Sequence, residues 1–195
     1  MLPHHVRRAA TLGVLGAISG ALAWGAIVGL RSLGVPPVID GIGWIQLGPF
    51  TLTPGVVFGV IVGARLAWGG VLGWRRLAAY ALASTASYLL AYHVAFVLLG
   101  MVGFDGFVDA AFAGSGGALC GSLALGFFTT VLMPVAVRWV WLSVAVGAAA
   151  GALFPLVTMS RWDDIPLGLM WFFALWQAAY GASLAPLLAV RSAPA

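Results

Sequence analysis

The sequence predicts an all-α integral membrane protein: a compact bundle of six transmembrane helices, with both termini in the cytoplasm and a long apolar outer loop between helices 1 and 2. Three observations predict this class. Of 195 residues, 63% are hydrophobic and 7% are charged, whereas about 25% are charged in soluble domains. The mean hydropathy is +1.08. Six apolar stretches are long enough to cross a bilayer, so we expect residues 1–195 to form a single transmembrane domain.

A membrane-crossing helix needs about 20 predominantly apolar residues. The first predicted span has the basic start of a signal peptide, but its apolar run continues to Leu30, which favours a retained helix over a cleaved leader. The outer loop, residues 31–53, contains Trp44 and is too apolar to float in water. It serves either as an interfacial anchor or as a lid over an outer pocket. The predicted spans are 9–30, 54–74, 77–100, 110–134, 138–159 and 166–190.

The arginines set the expected orientation, because cytoplasmic loops of membrane proteins carry an excess of basic residues. With the N-terminus inside, the five acidic residues, all Asp, fall outside. We therefore expect an integral protein of the bacterial cytoplasmic (inner) membrane with both termini cytoplasmic. The loop and terminal arginines are divided between the inside, with Arg7, Arg8, Arg75, Arg76, Arg138 and Arg191, and the outside, with Arg31 and Arg161.

Several residue types are missing, and their absence excludes whole classes of chemistry. The chain has no Lys, Glu or Asn, which excludes a P-loop nucleotide site, a Schiff-base lysine and any glutamate-based relay or metal ligand. The single Cys excludes an intrachain disulfide, a redox pair and an iron–sulfur cluster. No basic cluster exceeds two residues, so we expect no nucleic-acid partner. We also expect no cofactor and no metal site.

One segment superficially resembles an enzyme motif. Gly114-Ser115-Gly116, at the start of the fourth span, is similar to the serine motif of rhomboid intramembrane proteases. The spacing differs by one residue, and the sixth span contains no His that could act as the base. Cys120 lies among apolar residues with no obvious base near it. The sequence therefore predicts no enzymatic activity.

Small residues recur at every fourth position of several spans, and such stripes let helix backbones approach closely. The stripes serve either packing within the bundle or docking of a second membrane protein or a second copy of the chain. The first span has two such faces, Gly16 with Gly20 and Ala17 with Ala21. These four residues are therefore the predicted docking positions, and the lipid bilayer is the other expected partner.

Arg65 is the only charged residue inside a predicted span. No Asp lies within a span to pair with it, and burying an unpaired charge in lipid is costly. Two interpretations remain open. Arg65 is a functional intramembrane charge, or the second span ends early near Trp68 and the side chain snorkels to the inner headgroups.

Aromatic and hydrogen-bonding residues fall at one depth in the third and sixth spans. Concave aromatic surfaces with a few polar groups are typical of small-molecule pockets. The sequence therefore predicts an outward-facing pocket between these spans, beneath the outer loop. The alternative is a lipid-facing aromatic girdle, with His93 bonded to a neighbouring carbonyl. The predicted pocket residues are Trp44, Tyr88, Tyr92, His93, Trp176, Gln177 and Tyr180.

Two functions follow from these features. The first is binding or transport of a small, partly apolar or aromatic solute through the outward-facing pocket. The second is a non-catalytic structural or assembly subunit of a larger membrane complex, held through the small-residue stripes.

Overall fold

A computed structural model describes residues 3–36, 47–102, 106–133, 135–158 and 167–189, and within these ranges the protein is all-helical. Two 3-10 turns, Trp74–Arg76 and Ala185–Ala189, accompany the α-helices. The α-helices in chain order are α1 (His4–Ser32), α2 (Pro49–Trp68), α3 (Leu77–Val102), α4 (Phe107–Leu132), α5 (Val137–Gly151), α6 (Pro155–Thr158) and α7 (Leu167–Ser183).

Four helical segments are long and apolar enough to cross a membrane: α1 with 29 residues, α2 with 20, Trp74–Val102 with 29, and α4 with 26. This confirms the prediction of an all-helical protein with several apolar helices suited to a membrane. Helix α5 is a shorter apolar helix of 15 residues, and α7 has 17 residues.

Helix α2 begins five residues before the predicted start at Pro54. Pro49 occupies the first turn, where a missing N–H costs nothing. The N–H of Gly48 donates to Thr51 Oγ1 at 3.0 Å, which satisfies a backbone donor at the start of the helix. The predicted loop 31–53 is correspondingly shortened at both ends, because α1 continues to Ser32. Trp44 lies outside the described residues.

Prolines divide the last two predicted spans. Before Pro155 the backbone tightens, and the N–H of Phe154 donates to Gly151 O at 3.0 Å, three residues back. Pro155 itself has no N–H to donate, so α5 ends at Gly151 and the one-turn helix α6 follows. Helix α7 likewise ends at Ser183, shortly before Pro186, and passes into a 3-10 turn. The sequence predicts local bends at both prolines, near the ends of their spans, whereas in the structure the helices end before them.

Consecutive long helices run in alternating directions, as the two core clusters demonstrate. Each cluster takes residues from opposite ends of neighbouring helices, so the described N-terminal and C-terminal segments lie at the same end of the bundle. The cluster at that end includes Leu12, Leu66, Tyr80, Leu125, Met133 and Leu187. The cluster at the opposite end includes Ile27, Leu99, Ala110, Phe154 and Leu169.

The predicted small-residue stripes form the seams between helices. One close seam joins α1 to α7, where a methyl group at Gly20 would lie 2.5 Å from Ala174 N, and a methyl group at Gly16 would lie closer still to the backbone of Gln177. Equivalent contacts join α2 to α3 at Gly55 and α3 to α4 at Gly121. Two of the four predicted docking residues, Gly16 and Gly20, are therefore covered within the chain.

The second stripe of α1 lies on a different face. Ala17 is half-buried and Ala21 is exposed. Gly25 and Gly29 continue this stripe, and a methyl group at either would meet no atom within 4 Å. One glycine face of α1 is thus internal, and the other small-residue face has no partner within the described chain.

These two faces predict opposite effects of one methyl group. Gly20→Ala forces α1 away from the α7 backbone and should cost about 1–3 kcal/mol of stability. Gly25→Ala meets open space and should leave stability unchanged or raise it by up to about 1 kcal/mol, since Gly is a poor helix former. Thermal unfolding of the purified variants in detergent measures both. Equal effects at the two positions would contradict the α1–α7 seam.

Candidate functional site

Three of the predicted pocket residues, Tyr88, Tyr92 and Trp176, line one cavity of about 40 Å³. It lies between α3, α4 and α7, beside the turn that follows α5. Small residues on α3 and α4 leave the space that the aromatic rings surround. The remaining lining residues are Ala91, Ala95, Gly114, Ala118, Phe154 and Phe172. We call this space the aromatic cavity.

The rings around the aromatic cavity hold one another at right angles. Tyr88 lies edge-to-face on Phe173 at 5.8 Å and on Trp176 at 6.2 Å between ring centroids. Phe154 meets Phe172 in the same way at 5.6 Å. Such pairs contribute about 0.5–1.5 kcal/mol each beyond simple burial. Trp176 is fixed further, because its Nε1–H donates to Gly147 O at 3.2 Å.

None of the residues lining the aromatic cavity is ionisable at neutral pH, since its polar side chains are two tyrosines and one tryptophan. A charged ligand placed there would be buried without a counter-charge, at a cost that proteins avoid. The cavity is therefore suited to a neutral, largely apolar group.

Tyr180 lines a second, smaller cavity of about 10 Å³ between α2, α3, α4 and α7. Tyr88 and Trp176 line both cavities, which therefore adjoin each other. The ring of Tyr180 stacks on Trp176 with centroids 6.1 Å apart. Four of the seven predicted pocket residues thus lie on these two adjoining cavities.

Gln177 occupies a different place from the pocket that the sequence predicts for it. The side chain is 0% exposed and joins three helices. Its Nε2–H donates to Pro54 O of α2 at 3.1 Å, and its Oε1 accepts from Ser19 Oγ of α1 at 2.5 Å. Both ends of the amide are therefore used inside the protein. Sequence reasoning did not identify Ser19, although it lies between the two glycines of the α1 seam.

His93 does not line either cavity. Its Nδ1 lies 2.7 Å from Leu89 O, one turn earlier in α3. A carbonyl only accepts, so Nδ1 carries the proton of this bond. This geometry is the carbonyl-bonded alternative that the sequence left open. The ring also contacts Tyr92, with centroids 5.3 Å apart.

Arg65 is half-buried in the last turn of α2. The helix ends at Trp68 rather than at the predicted residue 74. A basic side chain in the last turn faces the negative end of the helix dipole and can reach the polar headgroups. The snorkelling interpretation of Arg65 requires that the second span end early near Trp68, and α2 does end there.

The sequence missed Phe154 and Phe172 as cavity residues. Phe154 reaches the cavity from the tightened turn before Pro155, a change of direction that a continuous helix would not make. Phe172 lies four residues, about one helical turn, before Trp176, and the predicted pocket did not include it. Among the described residues, no three His, Cys, Asp or Glu side chains lie together in a way that could hold a metal ion.

Comparison with protein-family models, curated proteins and solved structures gave no match to this chain.

The Gln177 contacts predict a structural role that a double-mutant cycle measures. Gln177→Ala removes the bonds to α1 and α2 and should cost about 1–2 kcal/mol. Ser19→Ala should be costly in the wild-type background and clearly less costly in the Gln177→Ala background, where the Ser19 hydroxyl keeps only its bond to Gly16 O in its own helix. Thermal unfolding of the wild type, the two single variants and the double variant gives the coupling energy between Ser19 and Gln177. Strictly additive effects would contradict the interhelical bond.

Proposed function

We propose that this protein is a small multi-pass membrane protein that binds or transports a small, uncharged, partly apolar or aromatic solute. The aromatic cavity is the observation that supports the proposal: Tyr88, Tyr92 and Trp176, which the sequence places on two distant helices, line one space without a charged residue. Edges and faces of the surrounding rings would hold a flat apolar group by the same contacts that they make with one another.

The size of the cavity implies that its wall moves on binding. An enclosed apolar cavity of about 150 Å³ admits benzene, whereas the aromatic cavity has about 40 Å³. Tyr92 is the half-buried ring of the wall, whereas Tyr88 and Trp176 are buried. Outward rotation of the Tyr92 ring would enlarge the cavity toward the side from which a solute enters.

We also propose that α5 with α6, and α7 with its 3-10 turn, complete six membrane crossings. The alternating directions of the helices support an even number of crossings. Most described arginines lie at the end of the bundle that contains both terminal segments, with Arg31 at the other end. By the excess of basic residues on cytoplasmic sides, that end faces the cytoplasm of a bacterium and the aromatic cavity faces outward.

An assembly subunit is the second candidate function, and the exposed stripe of α1 favours it. Ala21, Gly25 and Gly29 form a smooth face that no described helix covers. Because Gly16 and Gly20 are buried against α7, docking of a partner is tested at the second, exposed stripe of α1. Gly25→Leu should release a co-purifying membrane protein or second copy and leave the monomer folded. A wild-type protein that purifies alone as a monomer would remove this candidate.

Filling the aromatic cavity should abolish binding. The probe is toluene. At a concentration of 100 times its Kd, bound toluene should add about 2.7 kcal/mol to the free energy of unfolding of the wild-type protein and so raise its melting temperature. Ala118→Val places two methyl groups near the cavity and should remove this effect. Ala86→Val, the same change at an exposed site of α3, should retain it.

A second variant keeps the binding experiment decisive if Ala118→Val fails to fold. Tyr92→Ala widens the cavity, so stabilisation by naphthalene should increase relative to toluene. The proposed function fails if neither probe stabilises the wild-type protein.

Single cysteines test the orientation in intact cells. In a Cys120→Ala background, Leu33→Cys follows the end of α1, and Gly73→Cys lies in the turn before α3, where a methyl group would meet no atom within 4 Å. Both positions are exposed. A membrane-impermeant maleimide should label Leu33→Cys only, and Gly73→Cys should react after permeabilisation. The reverse pattern would place the arginine-rich end outside.

A further inference from the structure

Three buried hydroxyl groups without a hydrogen-bond partner belong to residues that line the smaller cavity. They are Ser87 Oγ on α3, Ser122 Oγ on α4 and Tyr180 OH on α7. The three residues are 3%, 1% and 1% exposed, respectively. Buried polar side chains are nearly always bonded in native proteins, and an unbonded hydroxyl costs about 1–3 kcal/mol. Three such groups on residues that line one space therefore indicate that this space is suited to a polar group.

The space that they surround has the size of one small polar group. The cavity is about 10 Å³, close to the roughly 10–15 Å³ that one water molecule requires, and a buried water needs two to four polar partners. Of the other lining residues, Ser84 and Tyr88 carry a hydroxyl and Trp176 an indole N–H, and the rest are apolar. None of them carries a charge.

The backbone of α5 makes room for one of the three hydroxyls. Ser122 Oγ lies against Gly147, where any side chain would occupy the position of the hydroxyl. The carbonyl of Gly147 accepts the Trp176 indole N–H at 3.2 Å, and Trp176 also lines the aromatic cavity. Gly147 thus contacts two residues that line the smaller cavity, Ser122 and Trp176.

We propose that Ser87, Ser122 and Tyr180 form a hydrogen-bonding subsite for one neutral, oxygen-bearing group. Without solute, the occupant is a water molecule. With solute, it is a hydroxyl or carbonyl oxygen of the molecule bound in the aromatic cavity, a part of the inference that rests on the proposed function. Hydroxyl groups both donate and accept, so either oxygen is satisfied. An ammonium or carboxylate would find no counter-charge in either cavity. The solute class is therefore a neutral aromatic or apolar compound with one oxygen function.

Whether removal of a hydroxyl group raises or lowers the melting temperature tests whether a water molecule occupies the smaller cavity. Tyr180→Phe and Ser122→Ala each remove one hydroxyl with little change of shape. If a water bridges the hydroxyls, both variants should lower the melting temperature of the full-length protein in detergent. If the cavity is dry, both should raise it, because an unsatisfied polar group has been removed. Thr130→Val, at a half-buried site of α4 outside the cavity, is the control: it removes only a bond within its own helix, to Phe127 O, and should change the melting temperature little. A higher melting temperature in both variants would contradict the proposal that a water molecule bridges the hydroxyls.

A matched pair of probes tests the solute subsite. Phenol and toluene have nearly the same size, and phenol adds one hydroxyl. Wild-type protein should bind phenol about tenfold more tightly, as one buried hydrogen bond implies. The double variant Tyr180→Phe with Ser122→Ala should lose this preference and keep its affinity for toluene. Equal wild-type affinities overturn the solute subsite and leave the proposed function standing. If neither probe binds, the proposed function fails, and the melting temperatures still decide the water.

Discussion

The direct contact of the α1 and α7 backbones is the constraint on which the rest of the bundle depends. Gly20 brings α1 so close to α7 that a methyl group would lie 2.5 Å from Ala174 N. Close approach of this kind supplies van der Waals contact, the main attraction between helices in lipid. It also brings Ser19 within reach of Gln177, whose other end bonds to α2. The first, second and last long helices are thereby fixed together, and α7 presents Trp176 and Tyr180 inward.

The interior has little polarity, and the polarity that it has is specific. Gln177 and Ser19 satisfy each other, and the Trp176 indole bonds to a backbone carbonyl. Against this background the unbonded hydroxyls of Ser87, Ser122 and Tyr180 are exceptional, because they lie around a single cavity. Trp24 Nε1 and Tyr80 OH are also buried without a partner in the described part of the chain, but neither residue lines the smaller cavity, where we propose that a polar group binds.

Sequence periodicity predicted which helix faces would be smooth and which would be aromatic, because each depends on residues of one helix. It could not say which helix would cover which face. By sequence, Gly16 with Gly20 and Ala17 with Ala21 are equivalent candidates for a docking face. In the structure α7 covers the glycine pair. Gln177 shares a helical face with Trp176 by spacing, yet its amide turns to α1 and α2. Pro155 and Pro186 predict a local bend near the end of each span, but a continuous apolar run does not show that the helix ends there.

The α1–α7 seam joins the first helix of the chain to the last, across the 158 residues that separate Ser19 from Gln177. Synthesis at about 5–20 residues per second delays α7 by about 8–30 seconds after α1. During this interval the glycine groove of α1 has only lipid, or an insertion factor, to cover it. Closure of the bundle is therefore a late event in biogenesis, and a ribosome that stops before α7 leaves behind a membrane intermediate with an open groove.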